Sequence, residues 1–254
     1  MVGMTTEAAP RWWARPKADL LVVCDHASNW IPPALGGLGL GAPALNSHDA
    51  WDIGALALAQ ALSQRLQADL LASPVSRLVI DCNRSPSSPY LIPLSADDQA
   101  IPGNASLDAA EVAHRLAAFH QPYHRAIASW LEARGLSAKA LISVHSFTPT
   151  FGRESRPWLC GLLHDEDELS LRLLGALRDE LGDAVGDNQP YGPHPDYDHT
   201  VPEHAYMRNL PAVLIEVRND QLCDTAVISL WADRLAKGLM MALNERGQGQ
   251  TSTR

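Results

Sequence analysis

The run LISVHSFTPT, residues 141–150, decides how this chain is read. An apolar stretch of strand length with little polar alternation suits a strand covered on both faces. It ends on His145, Ser146 and Phe147. A histidine at a strand end is more often a satisfied structural residue than a ligand, so the neighbouring runs must decide its role. Five more stretches have the same character: DLLVVC (19–24), ADLLAS (68–73), RLVIDC (77–82), WLCGLL (158–163) and AVLIEV (212–217).

Between these runs the apolar period lengthens to that of a helix. DAWDIGALALAQALSQRL (49–66) predicts a helix with Ile53, Leu56, Ala57 and Leu66 near one face and Ser47 or Asp49 as N-cap. Similar patterns cover about 107–134, 167–181 and 224–245. Alternating strands and helices imply an α/β sheet sandwiched between helix layers. Long connections rich in Pro, Gly, Ser and Asn occupy 30–47, 85–106, 146–157 and 186–211. Loops of that length in a compact domain usually build a site, and open sheets bind ligands beyond the carboxyl ends of their strands.

Composition narrows the function. The chain has 254 residues, 46% hydrophobic and 19% charged, enough for one sizeable core, so one domain spanning 1–254 is expected, with flexible ends at about 1–17 and 246–254. A formal net charge of -9 speaks against nucleic-acid or anionic-membrane partners. The absence of a signal-like apolar core near the start, or of a span-length apolar run later, predicts a cytoplasmic protein. Cys24, Cys82, Cys160 and Cys223 form no CxxC pair and read as reduced thiols, although Cys24 retains a reading as a nucleophile on the side of His26.

Read together, the strand ends deliver Asp25-His26, Asn83-Arg84, His145-Ser146 and Glu216-Val217-Arg218 to one edge. Strand alternation puts Glu216 and Arg218 on one side and Val217 on the other. A carboxylate after four apolar residues should face a cation or metal. Two histidines and a carboxylate from different elements are the ligand set of a catalytic zinc ion, and Asn-Arg offers forked donors for a substrate carboxylate.

These motifs carry a resemblance. CDHASNWIP, HDAWDIGA, SRLVIDCNRSP, PYHRAI, ISVHSFTP, GDNQPY and LIEVRND, in this order from about residue 20 to 240, resemble the N-formylglutamate amidohydrolase family. DHASNWI, NR, VHSF and the strand glutamate are more distantly similar to zinc carboxypeptidases. The resemblance implies a three-layer α/β/α sandwich with a mixed, mainly parallel sheet, of the zinc-exopeptidase-like, phosphorylase/hydrolase-like kind. It further implies hydrolysis of N-formyl-L-glutamate to formate and glutamate, as in histidine catabolism, with Zn2+ or a similar divalent metal as cofactor and a small anionic amino-acid derivative as partner. By position, His26 and His145 become metal ligands, Asn83 and Arg84 the grip on the substrate carboxylate, and Glu216 the general base. One departure stands out: Asn29 occupies the place of a carboxypeptidase ligand glutamate. The missing carboxylate is assigned to Asp52, with Asp49 and His48 as alternatives.

Other candidates are weaker. Ser146 lacks a nucleophile elbow and is expected to hydrogen-bond within the site. His120 and His124 have metal spacing on a continuous helix, but Pro122 between them disrupts that helix or starts a new one, so they read as surface or supporting residues. The polar stretch 186–209 reads as a lid on which Asn188 and Tyr191 reach substrate, and Arg218 joins them as a binding residue. Arg153, Arg156 and Arg208 are loop cations. A carboxypeptidase or N-acyl-amino-acid amidase, and a metal-free binding protein for acidic ligands, are the competing readings.

Overall fold

The computed structural model describes residues 9–96, 99–192, 194 and 196–249. Seven strands form the main sheet: β1 (Arg11–Trp13), β2 (Leu20–Cys24), β3 (Asp69–Ala72), β4 (Ala140–Phe147), β5 (Cys160–Leu163), β6 (Val185–Asp187) and β7 (Ala212–Arg218). Their spatial order is β1-β3-β2-β4-β7-β5-β6. The central strands β3, β2, β4 and β7 run parallel, β5 and β6 are parallel to each other, and β1 and β5 lie antiparallel to β3 and β7. The sheet is therefore mixed and mainly parallel, with helices on both faces.

Alternation along each strand divides the core. Leu20, Val22 and Cys24 of β2, Ile142 and Val144 of β4 and Ile215 and Val217 of β7 pack with the helices Ala55–Leu66, Glu168–Leu181 and Thr225–Gly249. Leu21, Val23, Leu141 and Leu214 turn the other way, onto Tyr123, Ile127 and Trp130 of the helix Gln121–Arg134. Glu216 follows Leu214 by two residues, so it shares this second face and emerges beside its register partner His145. Cys24 belongs to the first face, and burial pushes its thiol well above the usual range, so it is inert packing.

RLVIDC (77–82) is a buried series of turns, not a strand. Ser76 closes the first turn, its hydroxyl accepting the N–H of Leu78 and its carbonyl that of Val79. Side chains take the place of a neighbouring strand: Asn104 donates to the Leu78 carbonyl at 2.8 Å and Arg115 to that of Val79 at 3.0 Å. Arg115 is itself buried, and its charge is offset by Glu111 at 2.9 Å and Asn104 at 2.8 Å. Leu78, Val79 and Ile80 then fill a third core with Leu38, Ile101 and Phe119.

The first long helix begins later than its periodicity suggests, at Ala55, and its buried face is Ala55, Leu58, Ala59, Leu62 and Leu66. Neither Ser47 nor Asp49 caps it; Gly54 does, at φ +82°, where a Cβ would stand 2.3 Å from Leu222 Cβ. Asp52 therefore lies before the helix, where its N–H donates to the His26 carbonyl at 2.9 Å. Pro122 does not separate two helices: Ala109–Arg115 runs through a π-helical turn, Leu116–His120, into Gln121–Arg134. The expected flexible start contains β1, paired with β3, and the last helix continues to Gly249; residues 1–8 and 250–254 lie outside the described residues. No helix among the described residues is long and apolar enough to cross a membrane.

Candidate active site

Two strand ends and the loop between them bring His26, His145 and Asp52 together. All three are buried, and one ligand atom of each lies within 4.8 Å of the others. Asp52 Oδ2 is 2.8 Å from His145 Nδ1 and 3.4 Å from His26 Nδ1, and it also accepts the N–H of Ser146 at 3.3 Å.

The outer ring nitrogens point away, onto two further carboxylates. His26 Nε2 is 2.7 Å from Asp81 Oδ1, and His145 Nε2 is 3.0 Å from Asp25 Oδ2. A carboxylate can only accept, so each Nε2 carries a hydrogen and each Nδ1 turns inward toward Asp52. Asp25 is fixed in turn by the hydroxyls of Ser143 and Thr200, and Asp81 by the N–H of Asn83. Burial alone would raise both carboxyls. The hydrogen bond and charge of His145 hold Asp25 below the usual carboxylate range, and the charges of His26 and Arg84 do the same for Asp81.

A divalent metal fits this donor set. Two inward imidazole nitrogens facing one carboxylate require a positive charge among them. Either His145 carries a second proton, or a cation occupies the gap. Burial lowers His145, but Asp25 outweighs it and its pKa is raised; His26 is brought down to about 4, by burial and then by the charge of Arg77. Buried His26 Nδ1 has no hydrogen-bond partner. Histidines whose outer nitrogens are held by carboxylates are the usual support of a catalytic metal.

Glu216 stands at the open side of this group. It is 7% exposed, its Oε2 has no partner, and burial pushes its pKa up to about 7 against the pull of His145 and Arg77. Opposite it on β5 lies Gly161, where a Cβ would collide with the Gln189 carbonyl at 1.7 Å. Only glycine lets the Gln189–Tyr191 loop lie this close. Tyr191 thereby comes beside Arg156, whose guanidinium is 4.8 Å from its ring, and Glu216 is among the charges acting on its hydroxyl.

The other expected residues are placed as follows. Arg84 donates through Nη1 to the carbonyls of Tyr197 and Asn83 and lies 3.6 Å from Asp81, while its buried Nε is unpartnered. The amide oxygen of Asn83 takes the N–H groups of His199 and Thr200, both at 3.0 Å, which anchors that loop. The Ser146 hydroxyl donates to the Ile53 carbonyl. Asn188 bonds both backbone groups of His164, away from the histidine pair. Arg218 is held by Asp220 and the Arg156 carbonyl. His48 lies 3.9 Å from Asp52, but neither it nor Asp49 joins a metal-capable group among the described residues. Asn29 turns to Leu45 and Asn46.

Arg77 and Asp81 have no place in the site read from the sequence, and Asp25 stands at the strand edge there without a role. Arg77 pairs with Asp52 Oδ1, and its charge acts on Glu216 and His26. An arginine at the head of an apolar run, RLVIDC, passes for a strand boundary and carries a signal that strand reading discards. Asp25 adjoins His26, and the run itself contains Asp81.

Comparison with known proteins agrees with this architecture. The N-formylglutamate amidohydrolase family model matches residues 18–223. The crystal structure of gene product Atu2144 from Agrobacterium tumefaciens is 37% identical, covers 96% of this chain and 100% of that one, and superposes with a TM-score of 0.90. N-formylglutamate amidohydrolase from Ralstonia eutropha JMP134 is 19% identical over 94% of this chain and 99% of its own, with a TM-score of 0.69, and shares the fold. No curated protein matches the chain. With the family model spanning most of the chain, from β2 through β7 and including His26, Asp52, His145 and Glu216, the chain belongs to the N-formylglutamate amidohydrolase family.

Proposed function

We propose that this protein is a divalent-metal hydrolase that removes the formyl group from an N-formylated acidic amino acid, with N-formyl-L-glutamate as the fitting substrate. The observation that carries this reading is the unpartnered Glu216 carboxyl, with a pKa of about 7, standing beside carboxylate-backed histidines. His26, Asp52 and His145 would hold the metal, which supplies Lewis acidity toward an amide carbonyl and makes water more acidic.

The chain's own groups do the remaining work. Glu216 Oε2, unpartnered and at the register position of His145, can take a proton from the attacking water and return it to the departing nitrogen. Arg77, held against Asp52, places a fixed positive charge where the formyl oxygen becomes negative. Arg84, through Nε and its free edge, is the proposed grip on the substrate carboxylate, and Asn83 keeps that turn in place. Tyr191 and Arg156 line the approach to Glu216. Asp52, brought beside His26 and His145, can supply the carboxylate that position 29 lacks, which favours a metal enzyme over a metal-free binding protein.

The test is turnover by protein loaded with zinc, measured as formate release from N-formyl-L-glutamate and N-formyl-L-alanine and as cleavage of N-acetyl-L-glutamate and a C-terminal glutamate dipeptide. N-formyl-L-glutamate is expected to have the highest kcat/KM. Preference for the dipeptide, or no turnover of any formyl substrate, overturns the reading.

A further inference from the structure

Outside this site the molecule holds a second group of imidazoles that the reaction does not use. The π-helical turn Leu116–His120 and the helix after it bring His120 and His124 to a ring separation of 4.2 Å. His199 stacks on His120 at 5.7 Å and meets His124 at 4.8 Å; His204 stacks on His124 at 5.1 Å. One ring nitrogen each from His120, His124 and His199 lies within 4.8 Å of the other two.

Their hydrogen bonds fix the protons. His120 Nε2 is 2.8 Å from the Arg84 carbonyl, and His124 Nε2 is 2.8 Å from that of Cys82. Carbonyls only accept, so both Nε2 atoms are donors and the neutral rings keep a lone pair on Nδ1. His124 Nδ1 is 2.8 Å from His204 Nε2, which must donate to it; His204 Nδ1 is then a buried lone pair without a partner. Burial lowers the pKa of all four, His204 to about 4, so the group is neutral at physiological pH. No ion pair involves any of them among the described residues.

Three features converge. A backbone carbonyl on the outer nitrogen is a common support for a ligating histidine. Single π-turns inside α-helices occur frequently at functional sites. Four neutral imidazoles without a paired carboxylate suit a borderline cation and reject hard, oxygen-seeking ones.

We propose that His120, His124 and His199, with His204 as a fourth imidazole, form a second, nitrogen-donor site for a divalent cation of the zinc, cobalt and nickel class, sharing no residue with the His26–Asp52–His145 group. His204 joins through Nε2 by passing its proton to the unpartnered Nδ1, so no proton need leave the cluster. The cation ties the helical turn to the loop carrying His199, and through the Cys82 and Arg84 carbonyls it braces the turn that presents Arg84.

Equilibrium dialysis of the full-length, chelator-stripped protein against Zn2+ and against Mg2+ tests this site independently of turnover. The unsubstituted protein should bind two zinc equivalents, His26→Ala/His145→Ala one, and His120→Gln/His124→Gln one, with magnesium absent from the histidine cluster in each. The proposal is overturned if the His26→Ala/His145→Ala protein, folded by circular dichroism, binds no zinc, or if His120→Gln/His124→Gln binds as much as the unsubstituted chain. Should the latter variant not fold, zinc-edge anomalous diffraction from zinc-soaked crystals of the unsubstituted protein decides: a peak among these rings supports the site, and none there overturns it.

Discussion

The two histidine groups differ in what stands behind them. His26 and His145 each lean on an aspartate, Asp81 and Asp25, and face a third, Asp52. His120 and His124 lean on backbone carbonyls and face other imidazoles. Carboxylate backing adds negative charge: it raises His145 against its burial, and at His26 it opposes a fall that burial and Arg77 still carry to about 4; carbonyl backing fixes orientation without a formal charge, and burial lowers every ring in that group. The same residue type thus gives an electrostatically strong centre at the strand ends and a neutral one beside the π-turn. The strand-end group has beside it a buried carboxyl oxygen without a partner, Glu216 Oε2.

The largest expected effect concerns that asymmetry. Glu216→Gln keeps the shape of the side chain but cannot accept a proton, so kcat for formyl hydrolysis should fall by about a hundredfold to ten-thousandfold with metal content unchanged. Steady-state kinetics with metal analysis on the same sample checks it. Loss of the metal with the activity would make Glu216 a ligand rather than a base.

The backing carboxylates come next. Asp25→Asn and Asp81→Asn keep a hydrogen-bond acceptor but remove the charge, and each should weaken metal binding at the strand-end site by about tenfold to a hundredfold. A competition titration with a chelator measures this. Equal affinity in both variants would mean that the aspartates only orient the rings, as the carbonyls do in the other group.

How far the sequence disclosed these two groups follows from the range of the interactions involved. β2, β4 and β7 were legible because residues covered on both faces form apolar runs, and the first residues past them are the ones that reach the site. RLVIDC looked like a strand because burial alone gives the same pattern; Asn104 and Arg115, which satisfy its backbone, lie more than twenty residues away. Asp52 is reached as a carboxylate near the start of the predicted helix that could replace the one missing at position 29, whereas Arg77, at the head of an apolar run, reads as no more than its polar boundary. Pro122 appeared to part His120 from His124, because a helix that absorbs a proline by widening to a π-turn leaves the same sequence pattern as one that stops. The Asn188 amide serves both backbone groups of His164, and the Asn83 amide oxygen accepts from the backbone of His199 and Thr200; sequence spacing reveals neither partner.

A smaller, pH-dependent effect separates the groups again. The folded pKa of Glu216, about 7, lies above its ordinary 4.5, so the metal-stripped folded chain binds more protons than the unfolded one between these values. The group is neutral and costs nothing below about 4.5, and stability is lost as pH rises through about 7. The loss is at most roughly 3–4 kcal/mol, from about 1.4 kcal/mol per pKa unit. Buried histidines whose pKa is lowered gain stability over the same range, so the Glu216 part is read as a difference: in urea unfolding from pH 5 to pH 8 the metal-stripped Glu216→Gln protein should gain more stability, or lose less, than the unsubstituted one. An unchanged slope in the variant would place the pH dependence elsewhere.

The smallest expected effect tests the position where the sequence departs from the carboxypeptidase pattern. Asn29 donates through Nδ2 to the Leu45 carbonyl and to Asn46 Oδ1, both at 3.1 Å, and so ties the strand-end loop to the short helix Ala42–Leu45. Asn29→Asp replaces this donor with an acceptor facing two acceptors. It should cost about 1–2 kcal/mol of stability, the scale of a lost hydrogen bond with partners left unpaired. Zinc affinity should stay within about twofold, because ligation by Asp52 does not involve position 29, and electrostatics at this distance from the ligands are weakened by the exposed side of the loop. Thermal unfolding and a zinc titration on the same variant separate the two quantities. A rise in zinc affinity of tenfold or more would show that the loop turns inward when a carboxylate is offered at position 29, and that Asp52 holds its place only because Asn29 has been drawn away to Leu45.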